Sequence, residues 1–136
     1  MNKKQLSETD IKTKFITPSI KNAGWDIKKQ VLEEKSFTNG RIIVNGKTTK
    51  RGERKRADYI LYGKENLPLA IIEAKDNNHS VGSGLMQGVE YAEMLDIPFV
   101  FSSNGDGFSE FDRTKNEGKI QREFSLEEFP SPEELW

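Results

Sequence analysis

Apolar residues near the start of the chain recur at the three- and four-residue spacing of an α-helix. The recurring positions are Ile11, Phe15, Ile16 and Ile20. Ser7 precedes them and an acid follows it three residues later, which is the pattern of a helix N-cap. Pro18 is expected to kink or interrupt this helix, and residues 22–24 are expected to end it.

Short apolar runs and alternating apolar and polar residues predict several β-strands in the rest of the chain. The predicted strands span residues 25–32, 41–44, 58–62, 69–75 and 97–103. The fourth is the most apolar of them and is expected to lie in the middle of the sheet. After a tight turn at 104–107, residues 108–112 and 119–124 are expected to form a closing hairpin.

A second helix is predicted over residues 81–95 from one apolar stripe at helical spacing. The stripe consists of Val81, Leu85, Val89, Ala92 and Leu95. Gln87 and Tyr91 are four residues apart and outside this stripe, so we expect them at the rim of the sheet rather than in the core. The order of helix, strands, helix and strands predicts an α/β fold with a mixed sheet.

Length and composition limit the kinds of protein that the chain can be. Its 136 residues correspond to a single domain over 1–136. The sequence has no cysteine, which excludes a disulfide framework, a thiolate zinc site and a cysteine nucleophile. No apolar run is long enough to cross a membrane, and the first residues lack a signal-peptide core. We therefore expect a cytoplasmic protein without membrane association.

The charge is unevenly distributed although the net charge is only −1. Residues 47–56 carry six positive side chains and one negative, whereas residues 123–136 carry five glutamates and no lysine or arginine. The basic run is either a solvated loop or a loop that contacts phosphates. Its last two members, Lys55 and Arg56, come directly before the next candidate residues and are the candidates for contact with nucleic acid.

Asp58, Glu73 and Lys75 form the candidate site. An acid, any residue and a lysine occur six times in the chain, so the pattern alone carries no weight. Glu73 and Lys75, however, end the most apolar strand and point to the same face, because side chains alternate along a strand. Asp58 opens the preceding strand, and the short turn between the strands allows an antiparallel hairpin. Such a hairpin would bring Asp58 beside Glu73.

Two converging carboxylates are suited to a hard divalent cation such as Mg²⁺ or Mn²⁺. Such a cation could polarise a phosphate, and Lys75 would add a compact positive charge for the attacking water. The spacing is also compatible with a structural ion pair at the end of a strand. Residue spacing leaves both interpretations open.

Longer segments around these residues resemble the N-terminal nuclease domain of type I restriction endonuclease R subunits, within the PD-(D/E)xK nucleases. The resemblance is carried by residues 56–62, by Ile72-Glu73-Ala74-Lys75, by a QxxxY motif at 87–91, and by residues 104–108 and 129–136. One departure from the motif is Ala57, which stands where the family's name has proline. The likeness extends over nearly the whole chain.

The resemblance implies a restriction-endonuclease-like core, with a mixed sheet flanked by helices, and metal-dependent cleavage of duplex DNA. Asp58 and Glu73 would hold Mg²⁺ or Mn²⁺, and Lys75 would position or activate water. Glu8, in the first turn of the first helix, matches an acid that often points into such sites. Gln87 and Tyr91 would support the site or contact DNA.

The family further implies that the chain is a piece of a longer subunit with methylation and specificity subunits as partners. Intact R subunits carry an ATP-driven motor, but the chain has no GxxxxGK[ST] loop, so ATP would bind only to the full-length subunit. The alternative is a non-catalytic module of the same fold that binds DNA or docks to other subunits.

Overall fold

The structure is a computed structural model that describes residues 2–38, 41–42, 55–63, 67–114 and 121–135. A mixed sheet of seven strands runs through these residues in the order β2-β1-β3-β4-β5-β6-β7. The strands are β1 (Val31–Thr38), β2 (Arg41–Ile42), β3 (Lys55–Tyr62), β4 (Pro68–Ala74), β5 (Phe99–Ser103), β6 (Gly107–Asp112) and β7 (Gln121–Ser125). Strands β4 and β5 are parallel, and the other described neighbours are antiparallel. The apolar strand β4 lies in the middle, as predicted.

The helices cover the two faces of the sheet. They are α1 (Glu8–Ile11), a π-helical segment (Lys12–Ile16), α2 (Thr17–Asn22), α3 (Leu85–Leu95) and α4 (Pro132–Leu135), with short 3₁₀ helices at Lys3–Gln5 and Leu126–Glu128. One apolar core joins the N-terminal helices to one face of the sheet, around Tyr59 and Phe101. A second core joins α3 to the other face, around Ile71 and Val100. The layer order is therefore helix, sheet, helix.

The first helix begins as the sequence predicts. The Ser7 hydroxyl accepts the Asp10 amide, and the Asp10 carboxylate accepts the Ser7 amide, which closes a capping box. Next to Pro18 the α-helical pattern is interrupted, as predicted, because the π-helical segment directly precedes α2 and the proline falls in the first turn of α2. Proline lacks an N–H and its ring collides with the carbonyl four residues earlier, and a wider turn relieves both problems.

The predicted strand over 25–32 is wrong, because β1 begins only at Val31 and residues 26–30 form a turn. The Asp26 carboxylate accepts the amides of Lys28 and Lys29, which gives the backbone an alternative to pairing with a strand. Trp25 is buried, and its indole N–H donates to the carbonyl of Pro130. Its apolar character therefore reflects packing in the core beside the C-terminal part of the described chain.

Other predicted boundaries shift by a few residues. The second long helix begins at Leu85 instead of Val81, and the strand predicted over 97–103 begins at Phe99. The strand with Asp58 begins three residues earlier, at Lys55, so Asp58 lies inside it and does not open it. The closing hairpin is confirmed for β6 and β7, while residues 43–54 and 119–120 lie outside the described residues.

In the described part of the chain, no helix has the length and apolar character needed to cross a bilayer.

Candidate functional site

Asp58 on β3 and Glu73 on β4 lie side by side at one end of their strands. The last ladder pair before them is Tyr59 with Ile72, and the same register places Asp58 opposite Glu73. Instead of a regular ladder, the Asp58 amide donates to the Glu73 carboxylate at 3.0 Å, and the Ala74 amide donates to the Asp58 carboxylate at 2.8 Å. Each side chain thus accepts a main-chain hydrogen bond from the other strand, and this exchange fixes both carboxylates in one place.

Helix α3 covers Glu73 because two glycines allow a close approach. A Cβ atom on Gly84 would lie 3.2 Å from the Glu73 Cβ, and one on Gly88 would lie 3.5 Å from the Glu73 Cγ and 2.7 Å from a Val100 methyl. The Gly84 amide also donates to the Ser102 hydroxyl at 3.0 Å. As a result, only 3% of Glu73 is exposed, although the residue is a carboxylic acid.

Burial dominates the electrostatics of the paired carboxylates. Burial and, next, the neighbouring Asp58 charge together raise the pKa of Glu73 to about 8, against the opposing effects of the Asp58 amide and Lys75. Burial likewise raises the pKa of Asp58, while the Ala74 hydrogen bond and the charges of Lys12 and Lys75 oppose the rise. Two acids in one poorly hydrated place therefore repel each other, which favours a proton or a cation between them.

Lys75 and Glu8 complete the group. Lys75 directly follows β4, and its amide continues the pairing with β5 by donating to the Ser103 carbonyl at 2.9 Å. Its charge acts on the carboxylates of Glu8, Asp58 and Glu73 alike. Burial raises the pKa of Glu8, and the charge of Asp58 is the next cause. The structure thus brings together the four residues that the sequence predicts for the site, which come from the first helix and from two neighbouring strands.

The N-terminal segment fixes the position of Glu8. Lys3 donates to the Gly105 carbonyl at 2.6 Å and pairs with Asp106 at 2.8 Å, while Lys4 donates to the Asn77 carbonyl at 3.1 Å. These contacts tie the segment before the Ser7 cap to the loops that follow β4 and β5. The first turn of α1 is therefore held against the same end of the sheet as the carboxylates.

Lys12 is a charged residue near the site that sequence reasoning missed. It is buried, its ammonium lies 5.0 Å from the centre of the Tyr59 ring and 3.9 Å from a Glu33 carboxylate oxygen, and its charge lowers the pKa of both Asp58 and Glu8. The available signal was its position four residues after Glu8, on the same side of the helix.

Gln87 and Tyr91 are joined, but the predicted exposure of Tyr91 is wrong. The Gln87 amide donates to the Tyr91 hydroxyl at 2.8 Å, as expected for residues one helical turn apart. Gln87 is exposed, whereas only 7% of Tyr91 is exposed and its ring belongs to the core beneath α3. Because Gly88 lets α3 approach the sheet closely, the side of the helix that carries Tyr91 is buried. The Tyr91 ring therefore packs on the sheet, while Gln87 remains exposed.

Lys55 and Arg56 begin β3, and the rest of the basic run lies outside the described residues. Arg56 is largely exposed, and its guanidinium lies 3.7 Å from a Glu34 carboxylate oxygen. Lys55 is half-buried, and its charge opposes the rise in the pKa of Tyr91 that burial causes. Both residues therefore lie on the stretch of β3 that leads into Asp58.

The donor set for a cation consists mainly of Asp58 and Glu73. In the described ranges, no group of three or more His, Cys, Asp or Glu side chains is arranged to hold a metal ion. Two carboxylates held at a fixed position still form a hard-oxygen pair suited to a divalent cation with further ligands from water or substrate. The repulsion between them is the feature that such a cation would relieve.

Comparison with known proteins adds independent findings. Residues 26–130 match the family described as type I restriction enzyme R protein N terminus. The chain is 49% identical over 137 residues to the type I restriction enzyme EcoAI endonuclease subunit of Escherichia coli. This match covers 100% of the chain and 17% of that subunit. It therefore spans about a sixth of the length of that relative.

A solved structure is also similar. It is a fragment assigned as an HsdR subunit of a type I restriction enzyme from Vibrio vulnificus YJ016, with a TM-score of 0.76 and 39% identity. The match covers 96% of this chain and 24% of that one. It confirms the predicted α/β fold with a mixed sheet and flanking helices.

Proposed function

Because the chain belongs to the type I restriction enzyme R protein N-terminus family, we propose that it is the endonuclease part of such a subunit. The reaction would be hydrolysis of phosphodiester bonds in duplex DNA. The observation that carries the proposal is the exchange of hydrogen bonds between Asp58 and Glu73 beside Lys75. A purely structural ion pair has no need to place two acids against each other in a poorly hydrated position.

Asp58 and Glu73 would hold Mg²⁺, with Mn²⁺ as a substitute. When bound, the cation would supply Lewis acidity and neutralise charge at the scissile phosphate. The main-chain hydrogen bonds of the two acids keep their oxygens in place, so little reorganisation is needed when a cation or phosphate arrives.

Lys75 would orient the attacking water and stabilise the negative charge that develops on the phosphate, since an ammonium is a compact point charge. Glu8 would add a third acid at the same end of the sheet, and Lys12 would balance the charge from the side of the N-terminal helices. Gln87 is exposed in the first turn of α3 and would contact the DNA backbone. The Tyr91 hydroxyl would hold the Gln87 amide in place.

Membership of the family supports a proposal for the wider assembly. The full-length subunit would use ATP to move DNA, while this chain would bind no ATP. Methylation and specificity subunits would be its partners and would select the DNA. Lys55 and Arg56 would contact phosphates without regard to sequence.

Cleavage and ATP hydrolysis by the assembled full-length enzyme test the proposal. Asp58→Asn, Glu73→Gln and Lys75→Ala should each abolish DNA cleavage and leave ATP hydrolysis unchanged. Asp112→Asn is a matched control, because Asp112 is a half-buried acid at the end of β6, and it should cut normally. Cleavage that persists in all three site variants would favour the non-catalytic module of the same fold.

Calorimetric titration of the chain with Mg²⁺ tests the cation separately from the reaction. Asp58→Ala should bind Mg²⁺ more weakly than the unchanged chain, while Asp112→Asn should bind it equally. The same affinity in Asp58→Ala and the unchanged chain would refute Asp58 as a ligand.

A further inference from the structure

Glu34 has a backbone conformation that is unusual for a residue within a strand. Its φ is 51°, and the other described non-glycine residue with positive φ is Asp96. Asp96 follows the last residue of α3, where a left-handed conformation commonly ends a helix. Glu34 lies inside β1, where no helix end accounts for it. Strained residues of this kind persist where the surroundings hold them, and they cluster at functional sites.

The register of β1 and β3 places Glu34 against the site. Glu33 pairs with Tyr59 and Lys35 pairs with Ala57, so the register leaves Glu34 and Asp58 facing each other between these two ladder pairs. Its charge raises the pKa of Asp58, in agreement with this placement. Arg56, two residues before Asp58, is the diagonal neighbour of Glu34, within reach of a long side chain.

Glu34 and Arg56 form an exposed ion pair at this position. The Arg56 Nη2 atom lies 3.7 Å from the Glu34 Oε1 atom, and the two side chains are 64% and 56% exposed. Exposed pairs of this kind contribute little to stability and exchange partners easily. A phosphate offers a guanidinium two parallel, charge-assisted hydrogen bonds, which is a better match than one distant carboxylate oxygen.

We propose that the Glu34 carboxylate pairs with the Arg56 guanidinium in the absence of DNA. When DNA binds, the phosphate adjacent to the scissile one displaces Glu34 from Arg56. The inference rests on the proposed function, because it presupposes that duplex DNA reaches Asp58. Arg56 and Asp58 are two residues apart on β3, so their Cα atoms are separated by about 7 Å, and the long Arg56 side chain can hold a phosphate next to the one at the carboxylates. Glu34 thus weakens binding of DNA to this part of the protein until phosphate contacts replace the pair.

Binding of a fluorescein-labelled DNA duplex to the chain, measured by anisotropy in the presence of a metal chelator, tests the exchange. Glu34→Gln should tighten binding roughly three- to fivefold, because it removes the competing charge and keeps the size of the side chain. Arg56→Gln should weaken binding and reduce the dependence of affinity on salt by about one phosphate contact. In the Arg56→Gln background, Glu34→Gln should have almost no further effect.

Glu33→Gln is the matched control. Glu33 is the adjacent acid on β1, but it faces Lys12 on the other side of the sheet, so its removal should not act through Arg56. Equal tightening by Glu33→Gln and Glu34→Gln, or tightening by Glu34→Gln that survives the loss of Arg56, would show a general charge effect and overturn the exchange.

Further outcomes separate this inference from the proposed function. Weaker Mg²⁺ binding by Glu34→Gln in calorimetry would make Glu34 a cation ligand and overturn the inference alone. So would DNA binding that responds to Arg56→Gln but not to Glu34→Gln. A chain that binds no duplex under any of these conditions would overturn the contact with DNA in the proposed function as well.

Discussion

Replacing Glu73 with glutamine should stabilise the chain at alkaline pH and leave its stability nearly unchanged in mild acid. Burial, and then the charge of Asp58, raises the pKa of Glu73 from 4.5 to about 8. Between these values the folded chain holds a proton that the unfolded chain has released. The stability that this group contributes is therefore fully present below pH 4.5 and is lost as the pH rises through 8.

The size of the loss follows from the change in pKa. One pKa unit corresponds to about 1.4 kcal/mol, so the rise from 4.5 to about 8 sets a ceiling of about 5 kcal/mol. Local rearrangement and entry of water lower the cost of a buried charge, and we expect roughly 3 kcal/mol. Glutamine keeps the size of Glu73 and still accepts the Asp58 amide hydrogen bond, so the substitution changes the charge and little else.

Urea unfolding at about pH 5 and about pH 9, at constant ionic strength and with a metal chelator, measures the effect. Tryptophan fluorescence is a suitable signal because Trp25 is buried in the core. Glu73→Gln should match the unchanged chain at the lower pH and exceed its free energy of unfolding at the higher pH. Glu90→Gln, on the exposed side of α3, should follow the unchanged chain at both.

Two results would refute this reasoning. One is a difference between Glu73→Gln and the unchanged chain that is the same at both pH values, since a charge effect must follow the titration of Glu73. The other is a variant that is less stable than the unchanged chain at the higher pH, which would mean that the ionised carboxylate is stabilised where it lies.

Further expectations concern α3. Gly88→Ala should lower the free energy of unfolding by about 1–2 kcal/mol in urea, although alanine favours a helix, because its Cβ would lie 2.7 Å from Val100. Gly82→Ala, whose nearest neighbour would be 3.4 Å away, should be nearly neutral, and an equal cost at both positions would contradict the close packing. Tyr91→Ala should cost about 3 kcal/mol or more and Tyr91→Phe less than about 1 kcal/mol, and similar costs would remove Tyr91 from the core. In the assembled enzyme, Tyr91→Phe and Gln87→Ala should reduce DNA cleavage without changing ATP hydrolysis, and full cleavage in both would leave this pair without a role.

The pairing of Asp58 with Glu73 could be predicted because it depends on two local rules. Side chains alternate along a strand, and a short turn between two strands favours an antiparallel hairpin. The apolar run 69–72 marked the central strand, so the acid that ends it stood out from the other acids of the chain. The Ser7 cap depended only on residues three apart and was also visible in the sequence.

Other features depended on contacts between distant parts of the chain. The buried face of α3 is set by how closely Gly84 and Gly88 approach Glu73 and Val100, and an apolar stripe contains no information about that distance. This is why the sequence predicts Tyr91 outside the core. It also predicts a strand at Trp25, because the partner of this residue, the Pro130 carbonyl, is far along the chain. A lysine is normally exposed, so the burial of Lys12 could not be read from its residue type.

The exchange of hydrogen bonds at the ends of β3 and β4 turns two main-chain protons into reporters of the site. The amides of Asp58 and Ala74 donate to carboxylate oxygens, whereas the next step of the sheet is the ladder pair Tyr59 and Ile72. A ligand that draws those oxygens toward itself takes away the acceptors of both amides. Their nuclear magnetic resonance shifts and their exchange with deuterated water should then change together, while the amides of the ladder stay protected. Occupancy of a site built from side chains can thus be followed through the backbone, without a label and without turnover.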